Sequence, residues 1–307
     1  MSNNASWKTA LHAEYLAAYQ AIDSVFRAAD TEHQKALRLV GVSGVGKSDL
    51  LKRYAAQHPR AEHEDGTKVA VLHVSIPSHP SEKSLYVELL TALGDPRPAY
   101  GTATQMRDRL RAGLRSAGTK LILVDEVQHF VEHMRKTTRI SDCADTFKAL
   151  VNDYSGAVVM AGARSSRILF DNNSQLRSRM PLEIELRPFR WDEQASREMF
   201  CAVVKHQLPL GFANDSFLLM PETLHRLWYA TDGVMRPLSF LFVRLCSYAD
   251  ASSKITFDLL SKAFCASLWH EPPPPRDPFS KEFTWTRLNL PGEPYAADPK
   301  EGDNHGA

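Results

Sequence analysis

The sequence predicts a three-layer α/β domain with a mostly parallel sheet, followed by a small all-helical domain. Three observations lead there. Short apolar runs alternate with helical patterns between residues 36 and 186, and the glycine-rich pattern G-x-x-x-x-G-K-S occupies residues 41–48, directly after the first of those runs. Beyond "LRPFRW" every patterned segment has helical spacing and none alternates like a strand.

In residues 6–30, Leu11, Tyr15, Ala18, Ile22 and Phe26 recur at helical spacing, so an amphipathic helix precedes the first strand. The sheet domain then reads as strand 36–40, helix 47–57, strand 68–74, helices 82–93 and 105–116, strand 120–124, a helix over 144–154, and strands 157–161 and 182–186. Segments 192–205, 221–231, 237–248 and 257–268 read as helices. From Glu271 onward the chain holds 8 of its 18 prolines and 7 acidic against 4 basic residues, which predicts an extended or disordered tail. That tail also carries Phe279, Phe283, Trp285, Leu288, Leu290 and Tyr295, more apolar anchors than a solvating segment needs, and these predict docking on a partner or a neighbouring subunit. The expected organisation is a helical segment at 1–30, a nucleotide-binding domain at 31–190, a helical domain at 191–270 and a proline-rich flexible tail at 271–307.

Bulk composition narrows the class. The 307 residues are 43% hydrophobic and 24% charged, enough for a sizeable core in one or two domains. A net charge of +1 gives no global signal for nucleic acid, so any basic surface is local. Cys143, Cys201, Cys246 and Cys265 lie far apart without paired spacing, which argues against a zinc site or a disulfide framework. The start lacks a leader pattern and no apolar stretch approaches the roughly 20 residues that span a bilayer, so a soluble, cytoplasmic protein without membrane contact is expected.

The chemistry centres on two motifs. In "GVSGVGKS", Gly41, Gly44 and Gly46 let the backbone around Val45 curl so that successive N–H groups face phosphate oxygens, and the helix that starts at Lys47, Ser48 and Asp49 adds its positive end. Lys47 reaches the β- and γ-phosphates of ATP and the Ser48 hydroxyl ligates Mg2+. In "KLILVDEVQHF" a buried strand delivers Asp125 to the same magnesium ion and leaves Glu126 to orient or deprotonate the attacking water. One additional strand separates the two motifs, an order that fits an ATP hydrolase better than a small GTPase or most nucleotide kinases, and no guanine-selecting N-K-x-D occurs.

Further arginines extend the site. Arg164 or Ser165, after the fourth strand, are nearest to where a γ-phosphate sensor belongs. In "QLRSRM", Arg177 and Arg179 are candidates for a finger that reaches a neighbour's nucleotide and makes hydrolysis depend on assembly. Arg236, in "TDGVMRPL", is the candidate second sensor carried by a helical lid. Residues 105–139 hold 8 basic against 4 acidic side chains: Arg107, Arg111 and Arg115 share a helix face, and Lys136, Thr137 and Arg139 could track DNA phosphates without reading bases.

Together "GVSGVGKS", "LVDEVQHF", "VVMAGARSS", "QLRSRM" and "LEIELRPF" resemble the AAA+ ATPases, and within them the TnsC/TniB family of transposon-encoded target-site regulators. The resemblance runs from about residue 37 to 268; its first two motifs are common to very many ATPases, and the stretch from "QLRSR" to "LRPF" is the more discriminating. It implies strand order 5-1-4-3-2, ATP-dependent assembly of homo-oligomeric rings or filaments on duplex DNA, and hydrolysis that drives disassembly. It also implies partners: a transposase and a target selector of the TniQ/TnsD kind. A STAND-type signalling or defence switch is the alternative, and the chain has neither the effector nor the repeat array such switches carry.

Overall fold

The computed structural model describes residues 13–31, 36–64, 66–78, 80–132, 137–207, 214–249 and 253–296. They form two compact units, Glu14–Leu186 and a second built on Arg187–Ala307.

In the first unit, α1 (Ala13–Arg27) leads into β1 (Ala36–Gly41), α2 (Lys47–Ala56), the short strands β2 (Ala61–His63) and β3 (Gly66–Lys68), and β4 (Val71–Ser75). There follow α3 (Glu82–Leu93), α4 (Ala103–Ser116), β5 (Leu121–Asp125), α5 (His129–Glu132), α6 (Thr137–Asp153), β6 (Ala157–Gly162), α7 (Arg167–Asp171), α8 (Ser174–Arg179) and β7 (Leu182–Leu186). The five-stranded sheet has the order β4-β5-β6-β1-β7 with every pair parallel, which is the expected 5-1-4-3-2 order once the antiparallel β2–β3 hairpin is set apart.

Strand β5 is buried at every position because it is covered on both faces, and its side chains divide with period two. Ile122 and Val124 enter one core with Leu85, Leu110 and Phe147 from α3, α4 and α6; Leu121 and Leu123 enter the other with Ile22 and Leu50 from α1 and α2. Arg38 breaks the pattern in β1. Its guanidinium lies 4.8 Å from the centre of the Phe170 ring and 2.9 Å from Glu183 of β7, which keeps the charge paired at 12% side-chain exposure.

Two local readings differ from the sequence expectation. The single strand expected over 68–74 is interrupted: Lys68 closes the hairpin, Val69 N–H donates to Ala117, and β4 starts only at Val71. The helix expected from 105 starts at Ala103, because Thr102 and Gln105 form a reciprocal capping box.

The second unit packs α9 (Gln194–Gln207), α10 (Pro221–Thr231), α11 (Met235–Tyr248) and α12 (Phe257–Ser267) around one apolar core. The proline-rich segment is part of that core, in place of an extended tail with anchors reserved for a partner. Phe279, Phe283 and Leu288 are buried among Phe264, Leu227 and Leu241. Arg226 explains why so proline-rich a segment settles: its guanidinium donates to the Pro278 and Ser280 carbonyls at 2.6 and 2.9 Å and lies over the rings of Trp285 and Phe257. Arg276 with Glu293 and Arg287 with Asp232 close the strap at 2.5 Å each. Residues 297–307 lie outside the described residues.

Phe283 is 4% exposed, whereas Phe240 on α11 is 52% exposed. Phe283→Ala is therefore expected to cost the second unit about 3–5 kcal/mol, and Phe240→Ala no more than about 0.5 kcal/mol, in urea unfolding followed by tryptophan fluorescence. Equal midpoints for the two variants would contradict the packing of the strap.

Candidate functional site

The carboxyl ends of β1, β5 and β6 lie side by side, so the loops that leave them meet at one edge of the sheet. After β1, Gly44 and Gly46 take left-handed backbone at φ 81° and 114°, a region that costs other L-residues about 1–2 kcal/mol. Gly41 is needed for a different reason: a Cβ there would stand 2.4 Å from the Leu186 carbonyl oxygen of β7. The loop is closed by Val45 N–H to Val42, and α2 starts at Lys47 with no side chain capping its first turn. The first turn of an α-helix offers N–H groups that have no intrahelical acceptor, and with the positive end of α2 they are the donor set a phosphate group requires.

Lys47 is buried, and its Nζ donates to the Gly41 and Val42 carbonyls at 2.7 and 3.0 Å, so the ammonium is held at the mouth of the loop it serves. Ser48 follows, half-buried, in the same turn of α2. Asp49 is directed elsewhere: its carboxylate accepts from the Tyr15 hydroxyl at 3.1 Å and from Arg53 Nε at 2.6 Å, so it ties α2 to α1 instead of facing the loop. Only its backbone N–H remains for an anion.

Asp125 ends β5, is 2% exposed, and accepts the Glu126 N–H at 2.9 Å through Oδ1. Glu126 has φ 59°, left-handed backbone in a residue with a side chain. The turn holds because Val127 N–H donates to Ala161 of β6 at 3.0 Å and Ile76 N–H donates to the Asp125 carbonyl at 2.9 Å. In the sequence Gln128 has no role beyond its place in "LVDEVQHF". In the structure this side chain is buried, donates to Glu126 Oε2 and accepts the Ala163 N–H at 2.9 Å.

Among the described residues no group of three or more His, Cys, Asp or Glu side chains converges to hold a metal ion. Ser48 and Asp125 could offer two oxygen ligands, a set that would suit a hard cation taking its remaining ligands from phosphate and water. The glycine loop, the uncapped helix, the centred ammonium and the buried carboxylate thus fit a nucleoside triphosphate with a divalent cation.

The remaining arginines divide sharply. Arg164, one of the two γ-phosphate sensor candidates, is bound to Glu185 of β7 at 2.5 Å, so a sensing role for it is not what the geometry favours; Ser165 stays half-buried in the same turn. Burial works against the charge of Glu185, yet hydrogen bonds from Arg167 and Arg164 hold it below the ordinary carboxylate range. On α8, Arg179 donates to Asn152 of α6 and to the Gln175 carbonyl, whereas the Arg177 side chain is exposed and makes no hydrogen bond or ion pair with the described residues. Arg107 and Arg111 pair with Asp153 at 3.4 and 2.8 Å and stand, with Arg115, beside the amino ends of β5 and β6, at the sheet edge away from the phosphate loop. Lys136 lies outside the described residues, as do the side chains of Thr137 and Arg139 in the first turn of α6.

A family model described as the bacterial TniB protein matches residues 7–191. The chain belongs to the TniB family. No curated protein matches it in sequence. Among solved structures it is similar to Cdc6p from Pyrobaculum aerophilum, with 15% identity and TM-score 0.62 over 85% of this chain and 69% of that one. It is also similar to domain III of the Thermotoga maritima replication initiation protein DnaA (18% identity, TM-score 0.52, 86% and 96% covered). A third is the Aeropyrum pernix ORC1 protein, solved in complex with DNA (14% identity, TM-score 0.57, 83% and 64% covered). At such identities the likeness establishes the fold, that of the AAA+ ATPases. Among the described residues of this TniB-family chain, no helix is long and apolar enough to cross a membrane.

In the second unit, Phe189 N–H donates to the Gly233 carbonyl at 2.9 Å and Trp228 Nε1 donates to the Phe189 carbonyl at 2.7 Å. "RPF" and "DGVMR", far apart in sequence, are therefore joined within this unit, with Arg236 exposed in the first turn of α11.

The 2.4 Å approach at Gly41 gives a direct check on the site's foundation. Gly41→Ala is expected to destabilise the chain by about 1–3 kcal/mol or more, because the obstacle is backbone and cannot swing aside. Gly46→Ala, where a Cβ meets nothing within 4 Å, is expected to cost only the backbone strain of about 1–2 kcal/mol. Thermal unfolding without nucleotide compares them, and an unchanged midpoint for Gly41→Ala would refute the close approach.

Proposed function

We propose that this TniB-family chain is an ATP-dependent regulator of DNA transposition. In this reading it assembles into rings or filaments on duplex DNA, links a target selector of the TniQ/TnsD kind to the transposase, and uses ATP hydrolysis to control disassembly. Family membership supports transposition. The observation that carries the ATPase reading is the meeting of the Lys47 loop with the buried Asp125 and the strained Glu126 at one sheet edge.

The phosphates bind the N–H groups of residues 44–48 and the Lys47 ammonium, which neutralises charge on the β- and γ-positions. A magnesium ion held by Ser48 and Asp125 would supply Lewis-acid stabilisation of the phosphate oxygens. Glu126 orients a water and takes its proton as the new oxygen–phosphorus bond forms and the bond to ADP breaks. Arg177 is the better finger of the two candidates, since Arg179 is already bound to α6. Arg236 acts as the sensor of the helical lid, and Lys136, Thr137 and Arg139 track the DNA backbone, so binding weakens steeply with salt and has little sequence preference. The protein works in the cytoplasm.

Electron microscopy with an ATP analogue and duplex DNA tests assembly: rings or filaments that need both ligands are expected, and dispersed monomers under every condition would refute the reading. Lys47→Ala should lose nucleotide binding and assembly together, whereas Glu126→Gln should keep nucleotide and accumulate assemblies. Arg177→Ala should lower the hydrolysis rate by about 10³-fold with nucleotide affinity retained, and Arg179→Ala far less. Mixing Arg177→Ala with Glu126→Gln subunits should restore part of the rate, since each supplies what the other lacks at their shared interface. No recovery on mixing would remove the finger from the account.

A further inference from the structure

Gln128 is the side chain through which the proposed base touches the neighbouring strand. Its amide oxygen accepts the Ala163 N–H at 2.9 Å and its amide nitrogen donates to Glu126 Oε2. The orientation of the amide is dictated by those partners: turned over, it would set oxygen against carboxylate and NH2 against N–H. The strand makes room for it, because a Cβ at Gly162 would stand 3.0 Å from Gln128 Oε1 and 2.9 Å from Ser166 Oγ. Ser166 Oγ in turn donates to the Ala163 carbonyl at 2.6 Å, so both backbone polar groups of Ala163 are engaged just beyond the end of β6.

We propose that Gln128 is a positioning residue for hydrolysis: it fixes the Glu126 carboxylate and couples its position to the end of β6. The inference rests on the reading of Glu126 as the base. A glutamate has three rotatable side-chain bonds, and Glu126 leaves the backbone at a left-handed residue; without a fixed donor its carboxylate is spread over several rotamers. With one oxygen bound to Gln128, the other is presented in a set direction. The arrangement also gives the end of β6 a route to the base that needs no polar side chain at position 164, where Arg164 is bound to Glu185. A shift of Ala163 relative to β5 moves the Gln128 amide, and the carboxylate follows it.

The test uses the full chain and four proteins: wild type, Gln128→Met, Gln128→Glu and Glu126→Gln. Turnover, affinity for a fluorescent ATP analogue and thermal midpoint are measured for each. Gln128→Met fills the same space without hydrogen bonds; it is expected to bind the analogue within about twofold of wild type and to lose about 10- to 100-fold in kcat. Gln128→Glu retains an acceptor for the Ala163 N–H, so a bridge that served only to join β5 to β6 would survive in it. A positioning role instead predicts slow turnover at pH 8 with analogue affinity retained, since a second carboxylate offers Glu126 no N–H donor. Wild-type kcat for Gln128→Glu at pH 8, or a lowered thermal midpoint without loss of kcat in Gln128→Met, would overturn the proposal. Wild-type turnover by Glu126→Gln would instead remove the base reading itself.

Discussion

Because β5, β6 and β1 are adjacent and parallel, everything that leaves their carboxyl ends is delivered to the same place. The phosphate loop, the Asp125–Glu126 pair and the Gly162–Ala163 turn come from distant parts of the sequence and share no local contact until the sheet forms. Their spacing is set by backbone hydrogen bonds that side-chain changes hardly move. This is also why the glycines matter where the chain crowds: a methyl group at Gly41 would meet the Leu186 backbone of β7, and one at Gly162 the Gln128 and Ser166 side chains. Apolar cover on both faces of the sheet then makes the arrangement stiff.

What could be read from sequence follows the range of the interactions involved. The helices and the buried strands were legible because periods of 3.6 and near-continuous apolar runs are local signals. That Lys47, Ser48, Asp125 and Glu126 lie at one edge of the sheet was legible because each pair stands at or just beyond the end of a readable strand or its loop. The β2–β3 hairpin was not, since three-residue strands with exposed side chains carry no periodicity. Nor was the fate of Arg164: its partner Glu185 lies on another strand, and no spacing rule links the two. Gln128 is an intermediate case, visible as part of "LVDEVQHF", but with contacts that depend on a peptide N–H 35 positions away.

The proline-rich segment shows how composition misleads when burial is sparse. Prolines and acidic residues read as a chain that cannot collapse by itself, and that inference about the isolated segment is sound. It fails here because the segment does not need its own core; it borrows that of the helical unit. Three anchors at uneven spacing, Phe279, Phe283 and Leu288, fill gaps between helices, and Arg226 satisfies carbonyls that prolines leave without local partners. Proline even helps, since a restricted unfolded chain loses less entropy on docking.

The contrast between Arg177 and Arg179 has a geometric origin in α8. Helical residues two apart are about 200° apart around the axis, so the two side chains must face nearly opposite ways. Leu176 is buried and anchors the helix, and Asn173 caps it by accepting the Leu176 N–H at 2.9 Å, which together fix its rotation. Asn152 of α6 then meets Arg179, and Arg177 is turned outward. The rotation of one short helix thus decides which of two like charges is spent within the chain and which is turned to the surface.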